Sequence, residues 1–252
     1  MTQHPRRETP QSKLPELHPQ WANADLAAIL ALPTAYLAIG YSNSILSRQG
    51  AQAHEGLWER ARRPGGVLGN TLKVVHTARA AQTKVVWTRY EIFRQSYPQS
   101  PLDKAQYDHW AAAYANWTQE DKERDWRPVA EIEALIEPED EIIYYRSLGN
   151  VFLGTMLPSY LNMWGVRTVL LSGFHLDWCI EQAARSCRDL GYIPIVIGDA
   201  CGCGIEADDR PTLERINRFF APVLSADDVV QLLPSASHRR SDQSVAAIAS
   251  ST

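Results

Sequence analysis

Cys179 is the residue best placed to do chemistry. The sequence around it, TVLLSGFHLDWCIEQAARSCRDLGYIPIVIGDAC from Thr168 to Cys201, delivers it between a strand and a helix. TVLLSGF is a short apolar run, CIEQAARSCRDLGY carries apolar or small residues at helical spacing, and IPIVIGDA is apolar again. The segment therefore reads as a β-α-β unit. A cysteine in the first turn of a helix meets unpaired backbone N–H groups and the positive end of the helix dipole, which favour a thiolate. The expectation is a depressed thiol pKa and a nucleophile; the alternative is a small hydrophobe in the core.

Other chemically useful side chains fall at the ends of apolar runs. His175 and Asp177 precede Cys179, Gly40 and Tyr41 close TAYLAIGYS, Arg146 closes EIIYYRS, and Glu91 follows KVVWTRY. His175 has the titration range of a proton shuttle, with surface or packing histidine as the alternative. Asp177, Tyr41 and Glu91 are further candidates for proton transfer; the alternatives are a loop-ordering carboxylate at a helix N-terminus for Asp177 and a solvated side chain for Glu91. Arg146 cannot readily act as an acid or base, but it can stabilise a thiolate and grip a planar anion with two hydrogen bonds. That implies a small-molecule substrate, anionic or urea-like; a surface ion pair is the alternative. Cys201-Gly-Cys203-Gly lacks a second ligand pair at zinc spacing and reads as a post-strand loop with ordinary thiols, while Cys187 reads as core.

Positioning these groups falls to alternating strands and helices. Strands are expected at 34–42, 84–90, 141–147, 168–174 and from 193, with helices near 65–81, 103–116, 154–164 (broken early by Pro158), 179–190 and 208–223. Ser225 is an N-cap for a final short helix. This alternation implies a largely parallel sheet covered on both faces, with chemistry at the strand carboxyl ends. Tyr107, Trp110, Tyr114, Trp117 and Trp126 lie in a long connection and either wall a pocket, meet another subunit, or pack.

The 252 residues, 45% hydrophobic and 21% charged, fit one domain with a substantial core. Residues 1–24 read as a polar, proline-rich arm, 25–234 as the domain and 235–252 as a disordered tail. A net charge of -4 gives no global attraction to nucleic acid or an anionic membrane, and no run has transmembrane length. Four cysteines confined to one segment form no disulfide framework, which points to a reducing, cytoplasmic setting.

The motifs also carry a resemblance. GFHLDWCIEQAARSCRDLGYIPIVIGDAC is similar to the isochorismatase-like cysteine hydrolases, in which Gly, two residues and Thr-Asp-x-Cys-Val lead into a small-residue helix. Leu176 replaces the threonine, while Asp177, Cys179, Ala183 and Ala184 fit. RSLGNVFLGTML resembles Lys-x-x-x-Ser-x-Phe-x-x-Thr-x-Leu, with Phe152, Thr155 and Leu157 in register, and TAYLAIGYSNSIL resembles the first strand, with Asn43 in register. The group includes nicotinamidases, N-carbamoylsarcosine amidases, ureidoacrylate amidases and biuret hydrolases, and the resemblance runs from about Thr34 to Leu233.

The resemblance implies a three-layer α/β/α sandwich with a mostly parallel sheet. It also implies cleavage of a carbon-nitrogen bond in a small amide, carbamoyl or ureido compound through an acyl-Cys179 intermediate. The oxyanion hole would come from the N–H groups of Cys179 and His175, with a cis peptide at Phe174–His175. Gly40, Tyr41, Arg146 and Phe152 would contact substrate, and the protein would be a homo-oligomer. Of the family's Asp, Lys and Cys triad, the acid position is Gly40 and the lysine position Arg146; Cys179 alone is kept. The metal-binding Asp-x-His of nicotinamidases is missing from WTRYEIFRQSYPQS, so no metal and no cofactor is inferred. The alternatives are an inactive ligand-binding homologue, or a cysteine-dependent reaction on a substrate with a better leaving group.

Overall fold

The structure, a computed structural model, describes residues 14–90, 100–111, 114–145 and 149–233. Its strands are β1 (Thr34–Ile39), β2 (Lys84–Tyr90), β3 (Glu141–Tyr145), β4 (Thr168–Phe174), β5 (Ile193–Gly202) and β6 (Val223–Leu224). They form one parallel sheet in the order β3-β2-β1-β4-β5-β6. Every residue of β1 and β4 is buried, as strands covered on both faces must be. The helices are α1 (Leu26–Ala31), α2 (Asn43–Leu46), α3 (Leu57–Arg60), α4 (Val67–Ala80), α5 (Pro101–Ala111), α6 (Gln119–Trp126), α7 (Ala130–Glu133), α8 (Leu157–Met163), α9 (Glu181–Asp189), α10 (Asp209–Phe219) and α11 (Ala226–Leu232).

Two apolar clusters sandwich the sheet. One joins the β1 and β2 side chains Tyr36, Ala38, Val85 and Trp87 to α1, α4 and α11. The other joins Leu37, Ile39 and Val86 to α8, α9 and α10. From β1 the chain winds outward through β2 and β3, then returns to β4 on the opposite side of β1. The carboxyl ends of β1 and β4 therefore flank the switch point, where open parallel sheets form their ligand crevice.

Several elements depart from the sequence expectation for identifiable reasons. The helix expected at 103–116 runs from Pro101 to Ala111, and a second, α6, begins where Thr118 and Asp121 form a reciprocal capping box. Pro158 sits in the first turn of α8, where its missing N–H is tolerated, and so does not interrupt the helix. Cys201 and Gly202 belong to β5, because their backbones pair with Gly173 and Phe174, so the loop expected at Cys201 starts only at Cys203. The helix expected to reach 223 stops at Phe219 because Val223 and Leu224 pair with Val196 and Ile197 at the sheet edge. Ser225 does cap α11, with Asp228 completing the box. All four cysteines are free, and among the described residues no helix is long and apolar enough to cross a membrane.

The helix after the nucleophile is fixed to its neighbour by charge. Glu181, at the start of α9, accepts hydrogen bonds from Arg185 at 2.7 Å and from Arg215 of α10 at 2.6 and 3.0 Å. Burial alone would raise the Glu181 pKa, but the two guanidinium groups outweigh it and hold the carboxyl below its ordinary value. A depressed folded-state pKa contributes stability above the unfolded value and loses it as pH falls through the folded one. Glu181→Gln is thus expected to cost about 1–3 kcal/mol at neutral pH, the range for a hydrogen bond to a charged group. The deficit against wild type should shrink below the ordinary glutamate range, as measured by urea denaturation at neutral and acid pH.

Candidate active site

β4 ends at Phe174, just after Gly173 with its φ of +118°, and the Phe174–His175 peptide is cis, as the resemblance implied. Leu176–Ile180 then forms a single wide turn, closed by the Ile180 N–H to the His175 carbonyl at 3.1 Å, before α9 begins. Cys179 lies in that turn, 8% exposed. The backbone N–H groups of His175 and of Cys179 itself lie near enough to its sulfur to favour the thiolate. The Tyr145 hydroxyl approaches the same sulfur at 3.7 Å.

These groups border a cavity of about 640 Å³ at the strand carboxyl ends. Gly40, Tyr41, His175, Asp177 and Cys179 all line it. Asp177 is exposed at the rim. Phe152 does not line it: this expected substrate contact is a buried core residue facing Tyr192, with ring centroids 6.4 Å apart. Arg146 and Glu91 lie outside the described residues. Of the aromatic group, Tyr114 and Trp126 line the cavity, and Tyr114 also packs edge-on against Trp117 at 4.8 Å. The side chains of Tyr107 and Trp110 fall outside the description. Among the described residues no cluster of three or more His, Cys, Asp or Glu could hold a metal ion.

The expected depression of the Cys179 pKa is not found. Burial pushes the thiol up, and the nearby Asp177 carboxylate adds to the rise. The Tyr145 hydroxyl and the two N–H groups oppose it without reversing it. Helix position alone did not determine the outcome, because desolvation of a buried thiolate costs more than one dipole end returns. The resting cysteine is a thiol, and a base must take its proton before attack.

Among the described residues lining the cavity, His175 is a candidate for that task. Its Nε2 lies 2.7 Å from Oε2 of Glu55, and both residues line the cavity. Glu55 ends a short 3-10 turn, Ala53–Glu55. Arg60 fastens that turn to the loop after β5, donating to the carbonyls of Glu55, Cys203 and Gly204. Neither Glu55 nor Tyr145 was found from the sequence. Tyr145 could have been, as the residue at the end of β3 that alternation turns inward; Glu55 could not, because its partner is 120 residues away.

Tyr41 is excluded as a proton donor by its own bonds. Its hydroxyl meets Thr71 at 2.6 Å and Ser172 at 2.9 Å inside the core, and burial raises its pKa well above the usual tyrosine value. Its ring stands edge-on to Trp87 and Phe174 beneath the cavity.

Residues 34–228 match the family model described as the isochorismatase domain. The chain belongs to the isochorismatase family. Curated relatives include a ureidoacrylate amidohydrolase RutB of Serratia proteamaculans, 22% identical over 244 residues, which cover 90% of this chain and 93% of the relative. Another is an uncharacterized isochorismatase family protein, YrdC of Bacillus subtilis, 24% identical over 136 residues, covering 48% of this chain and 73% of that protein. Among solved structures, a cysteine hydrolase from Pseudomonas syringae superposes with a TM-score of 0.66 at 19% identity, over 81% of this chain and 93% of that one. N-carbamoylsarcosine amidase from Thermoplasma acidophilum gives 0.55 at 20% identity, over 78% and 98%. At these identities the structural likeness establishes the three-layer α/β/α sandwich with its parallel sheet.

Within the family, Gly40 is a structural departure as well as a chemical one. Its φ is +75°, and a Cβ there would overlap the carbonyl oxygen of Phe174, beside the cis peptide. Reinstating the family's aspartate by substitution alone would therefore disturb the nucleophile turn before supplying any chemistry. Gly40→Ala is expected to destabilise by about 2–4 kcal/mol, combining positive-φ strain with a backbone overlap. Chemical denaturation should show a lower midpoint at an unchanged m-value.

Proposed function

We propose that the protein hydrolyses a carbon-nitrogen bond in a small amide, carbamoyl or ureido compound through an acyl-Cys179 intermediate. The observation that carries this reading is the convergence on the Cys179 sulfur of two backbone N–H groups and one phenol, at the wall of a cavity. That arrangement stabilises negative charge first on sulfur and then on a carbonyl oxygen bound beside it. The similarity to ureidoacrylate amidohydrolases and to N-carbamoylsarcosine amidase supports the substrate class.

In this mechanism His175 takes the thiol proton, and sulfur attacks the carbonyl carbon. The protonated imidazole then gives its proton to the departing nitrogen as the C–N bond breaks. Water attacks the thioester, returning a proton to sulfur through the same imidazole and releasing the acid. Glu55 stabilises the imidazolium formed in between. Among the described residues, charge at the cavity favours the urea-like over the anionic substrate. Glu55 and Asp177 line it, whereas the guanidinium of Arg89, which also lines it, is engaged with Glu133 at 3.7 Å and with the face of Tyr144.

A second reading, a ligand-binding homologue without turnover, is favoured by one observation: the acid position is a glycine with no room for a side chain. Intact-mass measurement during incubation with small amides, ureas and carbamoyl compounds separates the two. The expected result is an acyl adduct that Cys179→Ser abolishes together with turnover. No adduct and no product across the set would favour the binder. His175→Gln is expected to lower kcat by about 10²–10⁴, the range for a lost general acid-base group, and to flatten the pH–rate profile. An unchanged profile in that variant would remove His175 from the mechanism.

A further inference from the structure

We propose that Tyr145 is a catalytic residue whose phenol donates a hydrogen bond to the Cys179 thiolate. The kinetic part of this inference rests on the acyl-Cys179 reading; the contact itself does not.

Strand geometry puts the phenol there. Successive β3 side chains point to opposite faces, so Tyr144 is 50% exposed while Tyr145 is 3% exposed and packs in the same cluster as Cys179. Tyr145 is the last residue of β3, and its hydroxyl reaches the sulfur at 3.7 Å. The register pairs Tyr145 with Tyr90 of β2, and the two rings lie 5.1 Å apart, tilted by 41°. Tyr90 thus holds the Tyr145 ring on one side, so the hydroxyl is aimed at low conformational cost. A contact of this length shortens once the acceptor carries charge.

The surroundings decide which way the proton points. Among the described residues, the titratable groups bordering the sulfur are Tyr145 from β3, Tyr90 from β2, and Asp177 and His175 from the nucleophile turn, with Glu55 behind His175. Burial, followed by the Cys179 charge, holds the Tyr145 phenol well above its ordinary pKa. The phenol therefore stays protonated at neutral pH and serves as a donor, never as the base. When the Cys179 proton passes to His175, the phenol hydrogen remains on oxygen and points at the thiolate. When sulfur bonds to the carbonyl carbon, the phenol is released unchanged, so the step balances without a further reactant. A lysine would supply a full positive charge; the phenol supplies a dipole, which a buried position accommodates at far lower desolvation cost.

Tyr145→Phe keeps the ring and removes one oxygen. Iodoacetamide labelling of Cys179 across pH, read by peptide mapping, is expected to report a thiol pKa about one unit higher, the equivalent of losing a hydrogen bond to a charged group. Alkylation below that pKa should slow about tenfold. On a substrate that the wild type turns over, kcat should fall by a similar factor with KM little changed. Replacing Tyr145 with a fluorinated tyrosine, a stronger donor of nearly the same shape, should shift the labelling pKa down; a merely structural ring would not produce that opposite sign. It also supplies the test if the phenylalanine variant folds poorly. Labelling profiles that coincide for wild type and both variants would overturn the proposal, even if turnover persisted. A shifted profile in a protein that hydrolyses no amide would uphold the contact and count against the hydrolase reading alone.

Discussion

Everything at this site hangs on how tightly the ends of β1 and β4 are pressed together. Both strands are completely buried, pair in register from Thr34–Thr168 to Ile39–Gly173, and reach the switch point side by side. A Cβ on Gly40 would strike the Phe174 carbonyl, and one on Gly173 would strike the Ile39 carbonyl. Each strand end is thus a glycine because the other's backbone occupies the space, and both hold positive φ. That mutual exclusion aims the Phe174–His175 peptide and the wide turn behind it, and with them the N–H groups that face the sulfur.

A buried thiol in such a setting faces an electrostatic trade-off. Closing the site against water strengthens each hydrogen bond to a developing charge, and the same closure resists forming the charge at all. Here the second effect prevails at rest, since the Cys179 thiol is pushed up and not down. In the proposed mechanism, reactivity then depends on neighbours that act only when charge appears: fixed backbone dipoles, a phenol that stays protonated, and a histidine with its own carboxylate. With Gly40 unable to carry an acid, these neighbours come from three elements, the turn after β4, the end of β3 and the 3-10 turn at Glu55.

The parts legible in the sequence were those written in local periodicity. The alternating strands and helices, the parallel sheet and Cys179 at a helix entrance all follow from runs of a few residues, as did the cap at Ser225. Phe152 misled because a family motif position was read as a ligand contact when the ring packs against Tyr192. Elements whose existence depends on a distant partner were missed: β6 is two residues long and is defined only by pairing with β5. Glu55 was invisible for the same reason, being an ordinary acid until the fold carries it to His175. The direction of the Cys179 pKa was misjudged because burial, the larger influence, cannot be read from a helix start.

The segment roofing the cavity has an unusual attachment. The Asn43 side-chain amide, just beyond β1, donates to the main-chain carbonyls of Arg124, Arg127 and Pro128 at 3.0, 3.0 and 3.2 Å, and Ser42 forms a bridge with Pro128. All these anchors on the roof are backbone atoms, which every residue type supplies alike. The Asn43 anchors therefore tolerate changes in the roof's side chains, whereas the buried Asp125, which accepts from the Ala51 N–H at 3.2 Å, is an anchor that depends on its side chain. A single asparagine thus ties the roof to the end of β1 without dictating the side chains that surround those carbonyls.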